Sequence, residues 1–386
     1  MPAAVNLIPA LCLGVWLYLL VARGGFWRMR EGAASGGIAG GSPAVVAVVP
    51  ARNEAAVVGR AIASLAAQNY DGPFRIVLVD DGSTDGTADE ARAAAESAGW
   101  AERLMVVRAA PLAPGWSGKL WAVAEGVRCA RQFQPEFLWL TDADIVHPPD
   151  NLRQLTARAS AGFDVVSYMA TLRCRTLAEC ALIPAFVFFF FMLYPPAWIA
   201  DERRRTAGAA GGCLLIRVAA LERIGGIEAI GGELIDDCAL ARAVKRSGGR
   251  VWLGLNYATK SIREYATFGE IGRMISRTAF TQLGYSVWLL AGTVIGLAVV
   301  YLAPPAATLF GARPAAALGS AAWLAMTVAY WPVVRFYRQP VWWAPLLPLA
   351  AAFYMGATVY SAVEYWRGKG GQWKGRTALS RGDGGL

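Results

Sequence analysis

One histidine, His147, stands in a chain of 386 residues, and only 17% of the residues are charged. The six cysteines, at positions 12, 129, 174, 180, 213 and 238, form no Cys-x-x-Cys pair and no Cys/His set at zinc spacing. That scarcity argues against a structural zinc site or a disulfide framework and leaves the cysteines as reduced, apolar fillers in a cytosolic compartment. No fixed-period repeat runs along the chain. Nor is there a helix-turn-helix or aromatic-rich RNA signature, so nucleic acid is not an expected partner. The net charge of +9 suits a different anion, a nucleotide or a phospholipid surface.

Apolar residues are abundant. They make up 56% of the chain, and the mean hydropathy of +0.38 is too high for an ordinary soluble protein. Residues 4–22 hold one polar side chain, Asn6, and are long enough to span a bilayer. No basic residue precedes them and Arg23, Arg28 and Arg30 follow, which favours an anchor over a cleaved signal and puts the next domain in the cytoplasm. Three further spans are expected at 285–302, 315–334 and 341–363, with tryptophans near many of their ends. Four spans would leave the basic tail outside, against the positive-inside rule, so 341–363, with Pro345 and Pro348, has a re-entrant reading as well. Residues 181–199 are as apolar but carry Pro184, Pro195 and Pro196. They are read as an interfacial segment lying against the bilayer, with a true span as the alternative.

Between the membrane segments the pattern alternates. Short apolar runs at 44–49, 74–79, 104–107, 137–140, 165–169, 213–216 and 251–253 read as strands. Helical patterns at 54–68, 87–97, 119–131, 151–160 and 236–247 fall between them. The alternation predicts an α/β fold with a doubly wound, mostly parallel sheet and helices on both faces, whose ligands bind at the carboxyl ends of the strands. The expected organisation is an anchor (1–30), a glycine-rich linker (31–42), a cytoplasmic domain (43–280), C-terminal membrane helices (281–366) and a basic tail (367–386).

Carboxylates collect at those strand ends. The first strand runs into "VVPARNEA", with Ala51 and Glu54; the second into "VDDGSTDGT", with Asp81; the fourth into Asp142-Ala-Asp144. An Asp-x-Asp pair after a buried strand needs something positive, and a magnesium or manganese ion shared with a diphosphate fits two hard oxygen donors. Lys119, in "PGWSGKLWA", could offset phosphate charge, or lie on a helix surface. His147 reads as a loop residue before Pro148 and Pro149, with metal ligation as the other reading. Gly208, Gly211 and Gly212 in "TAGAAGGCLLIR" allow close approach of backbone to a ligand. Asp236 and Asp237 open a helix; they stabilise its N-terminus, and one could serve as a general base.

Taken together, "VVPARNEA", "VDDGSTDGT", "DADI", "AGGCLLIR" and "IDDCALA" resemble, in this order, the family 2 glycosyltransferases of GT-A fold, over roughly residues 43–280. Within that family, the "PGWSGKLWAVAEG" segment, the single anchor and the short C-terminal membrane part look most like the bacterial glycosyltransferases associated with hopanoid (hopene) biosynthesis. The resemblance implies that Ala51, Glu54 and Asp81 contact the nucleotide of a UDP-type sugar donor, and that Asp142 and Asp144 hold Mg2+ or Mn2+, with Asp144 the direct ligand. It also implies that Asp237 is the catalytic base, that Asp236 stands where a glutamate is more usual, and that Lys119 lies on the donor side. Gly212 and Asp236 join the expected substrate contacts. Arg277, in "GRMISRTAFTQL", could stabilise the leaving diphosphate, or be a membrane-surface arginine. The Gln-x-x-Arg-Trp of processive synthases is missing from that stretch.

The resemblance therefore implies an inner-membrane, multi-pass enzyme that moves one sugar, with inversion, from a nucleotide-sugar to a membrane lipid such as a hopanoid. A polyprenyl phosphate acceptor, a nucleotidyltransferase and an inactive membrane scaffold are the alternatives. "VVPARNEA" lacks the Gly-x-Gly loop with which nucleotidyltransferases usually begin.

Overall fold

The structure is a computed structural model that describes residues 6–29, 41–370, 372–373 and 376–377. Most of the expected linker at 31–42 and of the tail at 367–386 lies outside the described residues. The chain divides into two compact units. An α/β unit takes in residues 41–173 and 199–264; a helical unit takes in 6–29, 174–198 and 265–370. Residues 265–280, which the sequence pattern joins to the sheet domain, fall in the helical unit.

The α/β unit is built on eight strands: β1 (Val45–Ala51), β2 (Phe74–Asp80), β3 (Leu104–Arg108), β4 (Phe137–Thr141), β5 (Ile145–Val146), β6 (Val165–Thr171), β7 (Cys213–Arg217) and β8 (Val251–Ser261). Their order across the sheet is β3-β2-β1-β4-β7-β6-β8-β5. β1 is buried over its whole length, as expected of a β-branched run covered on both faces. It pairs in parallel with β2 (Val45 opposite Phe74) and with β4 (Val45 opposite Phe137). The chain thus winds outward through β2 and β3, then returns to the other flank of β1. That reversal opens a crevice at the carboxyl ends of β1 and β4. β7 runs antiparallel between β4 and β6, and β5 pairs antiparallel with β8, so the sheet is mixed, its β1–β4 half being parallel.

The helix Gly118–Ala130 lies directly on this half. Gly126 permits the approach: a Cβ there would run into Val48 Cγ1 and sit 2.9 Å from Val79 Cγ2. The N-terminus of the same helix carries Lys119.

In the helical unit, four helical stretches are long and apolar enough to cross a membrane by length and composition: Leu177–Ala200, Val287–Phe310, Arg313–Phe336 and Val341–Trp366. The described part of the N-terminal helix, Leu7–Val21, has 15 residues, about 22 Å of rise. Two of the expected proline breaks do not occur. Pro184 lies inside the helix Leu177–Leu193, and Pro345 and Pro348 sit in the opening turns of the last stretch, where a missing N–H costs little. Past Glu179, Leu177–Leu193 carries no charged side chain, and its consecutive residues Leu182 to Ala185 are all buried.

Prolines do matter at residues 304 and 305. Pro304 has no N–H to give to the Val300 carbonyl, and the chain makes a π turn over Ala298–Leu302. The indole N–H of Trp16 donates to that orphaned oxygen at 3.0 Å, and the Cys12 thiol donates to Val299 O at 3.1 Å. Trp16→Phe keeps the apolar bulk and removes the donor, and is expected to cost about 1 kcal/mol. Thermal unfolding in detergent checks this; an unchanged midpoint would show that another donor satisfies Val300.

Candidate active site

Four elements meet at the crevice: the end of β1, the end of β4, the start of the helix Gly118–Ala130 and the start of the helix Asp236–Arg246. A pocket there is lined by Pro50, Lys119, Asp142, Gly211, Asp236 and Asp237 among others. Lys119 Nζ lies 2.9 Å from Asp142 Oδ1 and 3.0 Å from Asp236 Oδ2. A cation in the first turn of a helix opposes the helix dipole, so these carboxylates are what make the position tenable. Burial works against the Lys119 charge, but Asp142, Asp236 and Asp237 outweigh it and raise its pKa. The preceding segment is fixed by tryptophans: Trp116 packs against Gly231 and edge-on to Trp121, whose indole donates to Ala110 O at 2.8 Å.

Asp237 is held by backbone. Its Oδ2 accepts from Gly211 N at 2.8 Å and its Oδ1 from Cys238 N at 2.7 Å. Burial and the neighbouring Asp236 push its carboxyl up to about 6, against the opposing pull of Lys119 and the two amides. The glycine that faces this cluster is Gly211, where a Cβ would stand 3.3 Å from Lys119 Nζ and 3.4 Å from Asp237 Oδ2. Gly212, expected to contact substrate, packs against Ile145 and accepts a hydrogen bond from Thr141 Oγ1 at 2.8 Å.

The Asp-x-Asp pair faces two ways. Asp142 holds Lys119, whereas Asp144 is buried and its Oδ2 accepts from Ser261 Oγ at 2.8 Å and Arg263 Nε at 3.2 Å. The other end of the Arg263 guanidinium pairs with Glu54. Arg263, Ser261 and the amide of Cys238 were not among the residues the sequence singled out, and Gly211 was marked for close approach to a ligand rather than for its amide. The pairing of β5 with β8, Ile145 opposite Ser261, delivers Ser261 and Arg263 to Asp144 from more than 100 residues away.

The nucleotide-side loops are stapled together. Asn53 N donates to Ser83 Oγ, Thr84 N to Asn53 Oδ1, Glu54 N to Thr87 Oγ1 and Ala55 N to Asp85 Oδ2, all at 2.8–3.0 Å. Ala51 O accepts from Asp81 N at 2.9 Å, and the buried Asp81 carboxylate lies 3.6 Å from Arg52. "DGSTDGT" is therefore the partner of the β1 loop. Arg277 lies on the helix Phe268–Gln282 of the other unit.

His147 is a structural residue. Thr141 gives its only hydroxyl proton to Gly212 O, so His147 Nε2, 2.8 Å away, must donate to Thr141; Asn151 Nδ2 donates to Nδ1 at 3.2 Å. Burial pushes the ring pKa down to about 3, keeping it neutral with both nitrogens engaged.

No group of three or more His, Cys, Asp or Glu side chains forms a metal cage among the described residues. What Asp142 and Asp144 offer is oxygen alone, each carboxylate being paired here with a cation of the chain, Lys119 or Arg263. That set fits magnesium or manganese, which bind through one or two carboxylates and complete their shell with phosphate and water.

A model of the glycosyltransferase-like family 2 matches residues 43–279. The chain belongs to that family. Among curated relatives, the undecaprenyl-phosphate 4-deoxy-4-formamido-L-arabinose transferase of Pseudomonas paraeruginosa is 32% identical over 124 residues, 32% of this chain and 34% of the relative. Its namesake in Serratia proteamaculans is 34% identical over 126 residues, 32% and 35% of the two chains. The chain thus spans about a third of the length of these relatives. Among solved structures, a mannosyltransferase from Pyrobaculum calidifontis in complex with GDP-Man and Mn2+ matches 91% of this chain and 98% of its own, with a TM-score of 0.55 and 20% identity. At that identity the likeness speaks for the fold, and the expected GT-A-type α/β architecture is borne out.

Proposed function

We propose that this family 2 member is a membrane-bound, inverting glycosyltransferase that moves one sugar from a nucleotide-sugar to the hydroxyl of a membrane lipid, with a hopanoid as the class implied by the sequence resemblance. The observation that carries this reading is the Asp237 carboxylate, oriented by two backbone amides at the mouth of the crevice, with its pKa lifted towards neutrality. A base poised near the working pH is what removal of a hydroxyl proton requires. The acceptor oxygen attacks the anomeric carbon, and the bond to the diphosphate breaks with its electron pair going to the leaving oxygen. Asp237 takes the acceptor proton. The two amides leave each carboxylate oxygen a further lone pair for it. Glu54 and Asp81 position the nucleotide from the stapled loops, and Lys119 and Asp236 hold Asp142 in place. A divalent cation held by Asp142 and Asp144 would offset charge on the leaving diphosphate.

A lipid acceptor is supported by the helical unit. Its exposed large side chains include Leu11, Trp288, Ile295, Phe310 and Leu324, a surface suited to acyl chains. Leu177–Ala200 is read as lying at the membrane surface, long and apolar though it is. β6 precedes it and β7 follows it, and the two strands pair in one sheet, Val165 opposite Ile216. A crossing at 177–200 would require the charged run Asp201–Arg205 to carry the chain back through lipid, where unpaired backbone and charge are not tolerated.

A second reading, a polyprenyl phosphate acceptor, is favoured by the names of the curated relatives. Purified full-length protein with labelled UDP- and GDP-sugars, Mn2+, and either hopanoid or polyprenyl phosphate in mixed micelles separates the two. Labelled lipid is expected to form, to disappear with EDTA and to return with excess Mn2+. Undiminished transfer in Asp144→Ala would remove the assignment of the metal pair.

A further inference from the structure

Arg263 touches both donor-side acidic positions, Glu54 and Asp144. Its Nη2 pairs with Glu54 Oε1 on the loop after β1, and its Nε lies 3.2 Å from Asp144 Oδ2 after β4. The two carboxylates are enclosed, at 10% and 11% exposure, while the arginine is 32% exposed at the rim. Asp144 Oδ2 also accepts from Ser261 Oγ, so both lone pairs of that oxygen are engaged by protein donors. Backbone reinforces the arrangement, since Ile262 N donates to Asp144 O at 2.9 Å. A divalent ion bound at Asp144 either displaces the guanidinium from Oδ2 or stands beside a full positive charge. Both routes lower the ion's affinity.

We infer that Arg263 is a positioning residue that competes with the divalent cation for Asp144. It joins the β1 and β4 loops, and with Lys119 on Asp142 it raises the metal concentration at which the site loads. This rests on the proposed role of Asp144 as a metal ligand. The competition has a functional sense. An ion that must first displace Arg263 binds weakly alone and more tightly when a diphosphate arrives to share it, so metal and donor load together.

The test is Mn2+ binding to the purified full-length protein, followed by loss of the free-ion electron paramagnetic resonance signal, with and without UDP. Arg263→Gln is expected to bind Mn2+ at least fivefold more tightly than wild type in the absence of UDP, and to show less enhancement by UDP. Arg263→Lys keeps the charge but cannot bridge both carboxylates, and is expected to fall between the two; it serves also if Arg263→Gln fails to fold, as judged by near-UV circular dichroism. Equal or weaker Mn2+ binding in the folded variants overturns the proposal. Asp144→Ala separates the two levels: if it binds Mn2+ as wild type does, the metal reading itself fails and this inference with it. If it abolishes binding while Arg263→Gln changes nothing, only the competition falls.

Discussion

Asp237→Asn is expected to lower sugar transfer by about 10²–10⁴-fold, the range associated with loss of a general base. Asparagine matches the shape of aspartate, so donor and Mn2+ binding are expected to persist and the loss to fall on kcat. In wild type the transfer rate should fall about tenfold per pH unit below about 6, where burial and Asp236 have placed the Asp237 pKa. The linked effect on stability has the opposite sign to that of an ordinary salt-bridged carboxylate. A raised pKa means that the folded state favours the proton, so this group's stabilising contribution is present below its unfolded pKa of about 4 and is lost as pH rises through about 6. Asparagine can accept from only one of Gly211 N and Cys238 N, a cost that does not depend on pH, so what the raised pKa predicts is that the stability of Asp237→Asn relative to wild type rises by about 1 kcal/mol between pH 5 and pH 7.5, after allowance for partial solvent screening. Calorimetric midpoints at pH 5 and pH 7.5 check this. A variant that is inactive and gains nothing on wild type between pH 5 and pH 7.5 would leave the base in place but contradict the electrostatic account of its pKa. The same variant discriminates between acceptors. A lipid hydroxyl needs a base, whereas a phosphate monoester, with a second pKa of about 6, is already ionised and needs none. Transfer retained within about tenfold in Asp237→Asn would favour the polyprenyl phosphate reading.

Removal of Lys119 is the second large effect. Lys119→Met retains the length of the stem and removes the ammonium that sits between Asp142 and Asp236. Three carboxylates would then face one crevice without their shared cation. Stripping one partner from a fully buried ion pair costs about 3–5 kcal/mol. Here Lys119 is 21% exposed and its two partners 34% and 22%, so about 2–3 kcal/mol is expected. Lys119 holds the Asp237 pKa down, so without it that carboxyl rises further, and the deficit should be largest near pH 8 and shrink as pH falls and Asp237 takes up its proton. Urea unfolding at two pH values measures it. A loss that does not depend on pH would mean that the lysine stem, rather than its charge, supports the helix start.

Much of this site was legible as chemistry before it was legible as geometry. Apolar runs with period-two or unbroken burial marked seven of the eight strands, because a strand covered on both faces must be apolar and a strand end must turn. The carboxylates after β1, β2 and β4 stood out because charge is costly beside such runs. β5, with two residues, is too short to carry a period. β8 was read only to residue 253 but runs on to Ser261, as Gly254 and Asn256 interrupt its apolar pattern. Lys119 and Asp236 could each be read as donor contacts, but nothing in a linear pattern says that they meet at 3.0 Å.

Composition and local pattern settled what the chain is made to do with water and lipid. An apolar majority, an arginine-flanked N-terminal run and a strand–helix alternation dictate an α/β unit and a set of lipid-compatible helices, since burial and hydrogen bonding leave few other outcomes. Folding settled which charges neutralise which. The insertion of antiparallel β7 beside β4, and the pairing of β5 with β8, are long-range events, and they place Gly211 against Asp237 and Arg263 against Asp144. Coulomb interactions at 3 Å decide protonation, and separations of 26 and 119 residues along the chain carry no trace of such distances.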